Sequence, residues 1–146
     1  MMLKLTRVGC ATALCAVLLS AQGAIAGDPP RSLPLDTATT VNGVEVACTG
    51  IGQTKLDPRW LAFPVRVEFS DSHDYHLTDE AASIFDAAGQ LVLSVQCEAP
   101  WILLKLKPGA YRVEGRLIDS PAKPRSAPFT PPAKGQMRLI LKFPDV

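Results

Sequence analysis

The chain has 146 residues, of which 47% are hydrophobic and 20% charged, with a formal charge of +1. That length supports one core rather than two. So balanced a charge gives no electrostatic reason to expect nucleic acid or an anionic membrane as partner.

Lys4 and Arg7 precede an uncharged apolar run from Val8 to Leu19, and Ala24-Ile25-Ala26 follows. This is the order of a secretory signal peptide, residues 1–26, with cleavage expected after Ala26. A membrane span needs about 20 consecutive apolar residues, and Ser20, Gln22 and Gly23 interrupt this run. No membrane span is therefore expected after cleavage. Cys10 and Cys15 lie inside the run and lack the small residues that precede a lipid-modified cysteine. Without the signal, 13 basic residues face 14 acidic ones, a formal charge of −1. The expected location is periplasmic or secreted.

Residues 27–42 are rich in Pro, Asp, Ser and Thr, with Leu33 and Leu35 scattered among them. They read as an extended leader, poorly ordered unless it docks on the domain expected over 43–146. The first strand runs from Val44 to Thr49, with Val44, Val46 and Cys48 on one face. After a turn at Asp57-Pro58-Arg59, Val65, Val67 and Phe69 alternate with Arg66 and Glu68, which predicts a half-buried strand. Pro64 cannot donate to a ladder and places the start of that strand at an edge or a bulge.

Ser70 to Glu80 is a polar loop, and Ala82 to Phe85 a short strand. Asp86-Ala87-Ala88-Gly89 forms a hairpin turn with Gly89 in the left-handed position, returning as Leu91 to Cys97. Trp101 to Leu106 follows, and Lys107-Pro108-Gly109-Ala110 fits a type II turn. Tyr111, Val113, Gly115 and Leu117 then alternate with Arg112, Glu114 and Arg116. Five prolines preclude a regular central strand between Ser120 and Lys134, and Met137, Leu139, Leu141 and Phe143 mark the last strand. Six alternating runs and a short one near Phe129 describe an all-β fold, a seven-stranded antiparallel β-sandwich.

Cys48 and Cys97 each fall in phase with the apolar face of a strand, Cys97 behind Leu91, Leu93 and Val95. The pair remaining after export is thus expected to form a buried inter-strand disulfide. A metal-thiolate site would need further ligands, and neither cysteine has a Cys or His neighbour in sequence.

Phe85-Asp86-Ala87-Ala88-Gly89, followed by Leu103-Leu104-Lys105-Leu106-Lys107-Pro108-Gly109-Ala110-Tyr111-Arg112-Val113, resembles the carboxypeptidase regulatory-like domains. In that family a hairpin precedes a Leu-x-Pro-Gly-x-Tyr-x-Val strand-turn-strand, and the likeness extends as a strand pattern over roughly Val44 to Phe143. The resemblance implies a transthyretin-like (prealbumin-like), Ig-like sandwich, appended to other domains or exported alone as a binding or structural module. It implies no peptidase activity. A transthyretin relative hydrolyses 5-hydroxyisourate, but its Tyr-Arg-Gly-Ser ending is replaced here by Lys142-Phe143-Pro144-Asp145-Val146.

Chemistry-bearing residues are sparse. Asp71, His73, Asp74 and His76, with Asp79 nearby, contain both histidines of the chain and suit zinc or copper, provided a turn gathers them, because positions three apart on a strand face opposite ways. Trp60, Trp101 and Tyr75 could form an aromatic ligand surface. The competing expectation is that the tryptophans cap the ends of the core. No serine or cysteine sits in a nucleophile motif, so no enzyme and no cofactor are expected. The leading expectation is a non-catalytic module engaging another envelope protein, with strand addition at an open sheet edge as the natural mode. The alternative is a periplasmic metal-binding protein built on the His73/His76 loop.

Overall fold

Alternating side chains make strands because a pleated backbone turns every second residue to the same side, and the longest alternating runs become the longest strands. A computed structural model describes residues 28–146; the expected signal peptide lies outside the described residues. Among these there are ten strands: β1 Arg31–Ser32, β2 Thr39–Val41, β3 Val44–Thr49, β4 Val65–Asp71, β5 Glu80–Asp86, β6 Leu91–Cys97, β7 Trp101–Lys105, β8 Tyr111–Leu117, β9 Arg125–Phe129 and β10 Met137–Phe143. Two short 3-10 turns, Gln53–Leu56 and Pro58–Ala62, lie between β3 and β4. No helix of the described residues is long and apolar enough to cross a membrane.

The strands form two five-stranded sheets, ordered β1-β6-β5-β8-β9 and β10-β4-β7-β3-β2. The count exceeds seven for physical reasons. β1 and β2 lie in the leader and are too short to show a period. The short strand expected over Ala82 to Phe85, which stands outside the count of alternating runs, forms as β5 with Glu80, Ala82 and Ile84 on its inward side. Nor is the sandwich wholly antiparallel, since β1 runs parallel to β6 and β10 parallel to β4. The leader docks: Leu33 is buried in the core and Leu35 bridges to Cys48.

Turn chemistry sets the hairpins. Asp86 Oδ1 accepts from the backbone N–H groups of Ala88 and Gln90, both at 2.9 Å, while Gly89 takes φ +77°. One register shift follows: Ile84 pairs with Leu93 but Phe85 pairs with Leu91. Val92 is thereby the additional residue of a bulge. Leu91 consequently points away from the core and is exposed, although its sequence phase put it inside.

The core lies between the sheets. Val46, Cys48, Val65, Val67 and Phe69 from the second sheet meet Ala82, Ile84, Leu93, Val95, Cys97 and Val113 from the first. Cys48 and Cys97 are bonded, with Cα atoms 5.5 Å apart, and join β3 to β6 across the two sheets. Phe69 stacks on Phe143 at 5.8 Å between ring centroids. Gly115 of β8 makes room for that stack, because a Cβ there would collide with Leu141 Cδ1 and come within 2.7 Å of Phe69 Cε1. Gly115→Ala should therefore cost about 2 kcal/mol through overpacking, measured as a lower urea midpoint at unchanged slope. An unchanged midpoint would show that the aromatic pair yields freely.

β4 departs from the half-buried expectation. Glu68 and Ser70, on the side facing away from the core, are as buried as Val67 and Phe69. Something covers that face. The strand is also central, lying between β10 and β7, and Pro64 precedes it while accepting from Met137 N–H at 2.8 Å, so no edge or bulge is needed there.

Candidate functional site

The outer face of the second sheet is covered over β3 and β7 by the 3-10 segment and over β4 by side chains of β4, β7 and β10. The 3-10 segment lays Trp60 and Phe63 against Ala47 and Leu103 as a small second core. Asp36, in the leader, anchors that segment: its carboxylate accepts from Thr49 Oγ1 at 2.6 Å and Thr54 Oγ1 at 2.9 Å, and its carbonyl from Arg59 Nη2 at 3.0 Å. Gln136 Nε2 donates to the carbonyls of Trp60 and Phe63. Trp60 is a wall here, buried, with its indole N–H on the Thr54 carbonyl at 2.8 Å and the Arg59 guanidinium 4.2 Å from its ring centroid.

Trp101 differs. It is half-buried on the same outward face, with the Arg66 guanidinium 4.3 Å from its ring centroid and His76 edge-on at 6.4 Å. Its Nε1 has no hydrogen-bond partner among the described residues. Gly50 lets the backbone run close beneath it, since a Cβ there would lie 2.9 Å from the indole. The tryptophans therefore do not cap the ends of the core, because both strand parity and the 3-10 segment turn them onto the outside of the second sheet.

Beside Trp101, the parallel register of β10 on β4 sets Arg138 opposite Arg66 and Ile140 opposite Glu68. Two neighbouring guanidiniums repel unless a carboxylate lies between them, and Glu68 does. Arg138 holds it with a hydrogen bond from Nε to Oε1 and an ion pair from Nη2 to Oε2, both at 2.7 Å, while Arg66 Nε lies 2.7 Å from Oε1; neither ion pair has hydrogen-bond alignment. Glu68 stabilises the charged form of Arg138 and raises its pKa. Such pairing lets a carboxyl only 1% exposed persist.

Two depressions lie on this face, the first of them bordered by the Arg66–Trp101 stack. One of about 160 Å³ is bordered by Leu56, Trp60, Leu61, Arg66, Trp101 and Leu103. The other, of about 250 Å³, is lined by Glu68, Ser70, Asp74, His76, Arg138 and Ile140. Ser70 is buried, and its hydroxyl has no partner among the described residues. Leu56 and Leu61 stand 69% and 68% exposed at the rim of the first depression.

The histidine loop does contain a turn, which sets Asp71 beside His73, and Asp74 with His76 at one depression, but brings no three of these residues together. Asp71 Oδ1 accepts from the backbone N–H groups of His73 and Tyr75, at 2.8 and 2.9 Å, and so closes the turn. Asp74 is paired with Lys142 Nζ at 2.8 Å, whose hydrogen bond holds its carboxyl below the usual carboxylate range. His73 points into solvent and His76 turns back to Trp101. Among the described residues no three His, Cys, Asp or Glu side chains come together as a metal site. Ser72 Oγ and Asp71 Oδ2 approach the same His73 nitrogen, Nδ1, at 3.2 and 3.9 Å. A hydroxyl-activating relay needs them on opposite ring nitrogens. Tyr75 stands 72% exposed and borders neither depression.

Sheet edges offer less than this face. β1 and β2 are two and three residues long, β9 contains Pro128, and β10 carries Arg138 and Lys142, all features that discourage strand addition. Sequence reading missed Asp36, Ser70 and the Arg66–Glu68–Arg138 cluster. The one available signal was the row of polar residues at 66, 68 and 70 facing 138 and 142, which becomes a site only when β10 lies beside β4. Compared with known proteins, the chain matches no family model and no curated protein.

Proposed function

We propose that the chain is an exported, non-catalytic β-sandwich module of the carboxypeptidase regulatory-like kind, with its Ig-like, transthyretin-like arrangement, and that it binds another protein of the cell envelope through the outer face of the second sheet. The observation that carries this reading is the half-buried Trp101 beside the exposed Leu56 and Leu61. Clustered apolar side chains around a shallow, aromatic-floored depression mark protein contact surfaces. A buried disulfide suits an oxidising compartment. The family reading draws further support from the Pro108-Gly109-Ala110-Tyr111 turn, where the Tyr111 hydroxyl donates to the Lys107 carbonyl at 2.9 Å.

A photo-crosslinking residue placed at Leu61, and in a separate variant at Lys123 on the proline-rich connection, tests the reading in the producing cell. Leu61 should yield one discrete adduct of higher mass and Lys123 none. Equal labelling from both positions, or none from Leu61, would remove the reading.

A further inference from the structure

Ser70, like the Trp101 indole N–H on the same face, is a polar group that the fold leaves without a partner among the described residues. Its hydroxyl is buried and unpaired among the described residues, beside the 250 Å³ depression. Native interiors rarely leave a polar group in that condition without a partner from outside. Next to it, Arg138 is half-exposed and engages Glu68 through Nε and Nη2, which leaves Nη1 for a further acceptor. The lining itself, Arg138 against Glu68 and Asp74, is formally −1, and the ion-pair partners that hold those carboxyls from outside the lining, Arg66 on Glu68 and Lys142 on Asp74, bring the cluster to +1. With two carboxyls already at the lining, one further negative charge is balanced and a dianion is repelled. A hydroxyl, a guanidinium and an imidazole on an ion-pair cluster of net charge +1 match a carboxylate.

Resting on the reading that this face binds a protein, we propose that the depression between Ser70, His76 and Arg138 receives an acidic side chain of an extended partner segment, whose apolar residue two or four positions away enters the Trp60–Trp101 depression. The spacing follows from β4 itself. Arg66 borders the apolar depression and Ser70 the polar one, so these two borders lie four residues of strand apart, about 13 Å. A partner strand presents alternate side chains to the same side at the same repeat. Leu56 and Leu61 then flank the apolar anchor, and Ile140 covers the stem of the acidic residue.

The test uses the mature chain and acetylated, amidated octapeptides carrying Leu followed by Glu at the second or fourth position in a serine background, with Gln counterparts. The Trp101 indole N–H resonance is followed during titration. At least one Glu peptide should shift that resonance saturably and bind at least tenfold more tightly than its Gln counterpart. Ser70→Ala and Ile140→Glu should each bring the Glu peptide down to the Gln level. Ser70→Ala removes an unpaired hydroxyl and should melt no lower than the parent chain, which separates a binding loss from misfolding. Equal binding of Glu and Gln peptides, an unmoved Trp101 resonance, or indifference to Ser70→Ala overturns the carboxylate site. The Leu61 crosslink fails or stands independently of that result, so loss of the pocket and loss of the protein-binding face are distinguishable.

Discussion

Replacing Cys48 and Cys97 together by alanine should lower the free energy of unfolding by about 4 kcal/mol. The bond closes a loop with a sequence separation of 49, and on the chain-entropy account a loop of that length removes about 4 kcal/mol of freedom from the unfolded chain. Location adds to the effect. Both sulfurs are fully buried and join β3 to β6, so their removal also leaves a void between the sheets. A domain of this size has only about 5–15 kcal/mol of total stability. Urea unfolding of the oxidised parent and the double variant measures the difference, and a loss below about 1 kcal/mol would show that the core alone holds the sheets together.

How much of this was legible in the sequence depended on whether the cause was local. The strands Leu91–Cys97, Tyr111–Leu117 and Met137–Phe143 were readable to their last residue, because alternation and flanking turns are both properties of neighbouring residues. The disulfide was legible for the same reason, each cysteine being in phase with its own strand. Pairing between distant segments was not. Nothing in Met137–Phe143 announces that it lies parallel to Val65–Asp71, and that pairing alone sets Arg138 beside Arg66 and encloses Glu68. Ser70 looked like the first residue of a polar loop, yet the returning His76 bridges to it and closes it in. The leader likewise read as loose because its anchors are single residues, Leu33 in the core and Asp36 on Thr49 and Thr54.

Glu80→Gln should stabilise the protein by about 3 kcal/mol at pH 7 and by almost nothing at pH 4. Glu80 sits on β5 between Cys97 of β6 and Leu117 of β8, facing the core, and neither carboxyl oxygen has a hydrogen-bond partner among the described residues. Burial foremost, and then the neighbouring Asp79 charge, push its pKa up from 4.5 to about 10. Below pH 4.5 the carboxyl is protonated in both folded and unfolded chains and carries no penalty. Above it the unfolded chain releases the proton while the folded chain keeps it, so stability falls by about 1.4 kcal/mol per pH unit, and continues to fall until the folded carboxyl ionises near pH 10. Glutamine has the same shape and no proton to lose. Subtracting the unfolding free energies of parent and variant across pH 4 to 9 should give a difference that grows steadily with pH. A flat difference would mean that Glu80 finds a partner or water when charged, and that the disulfide end of the core is less dry than its packing indicates.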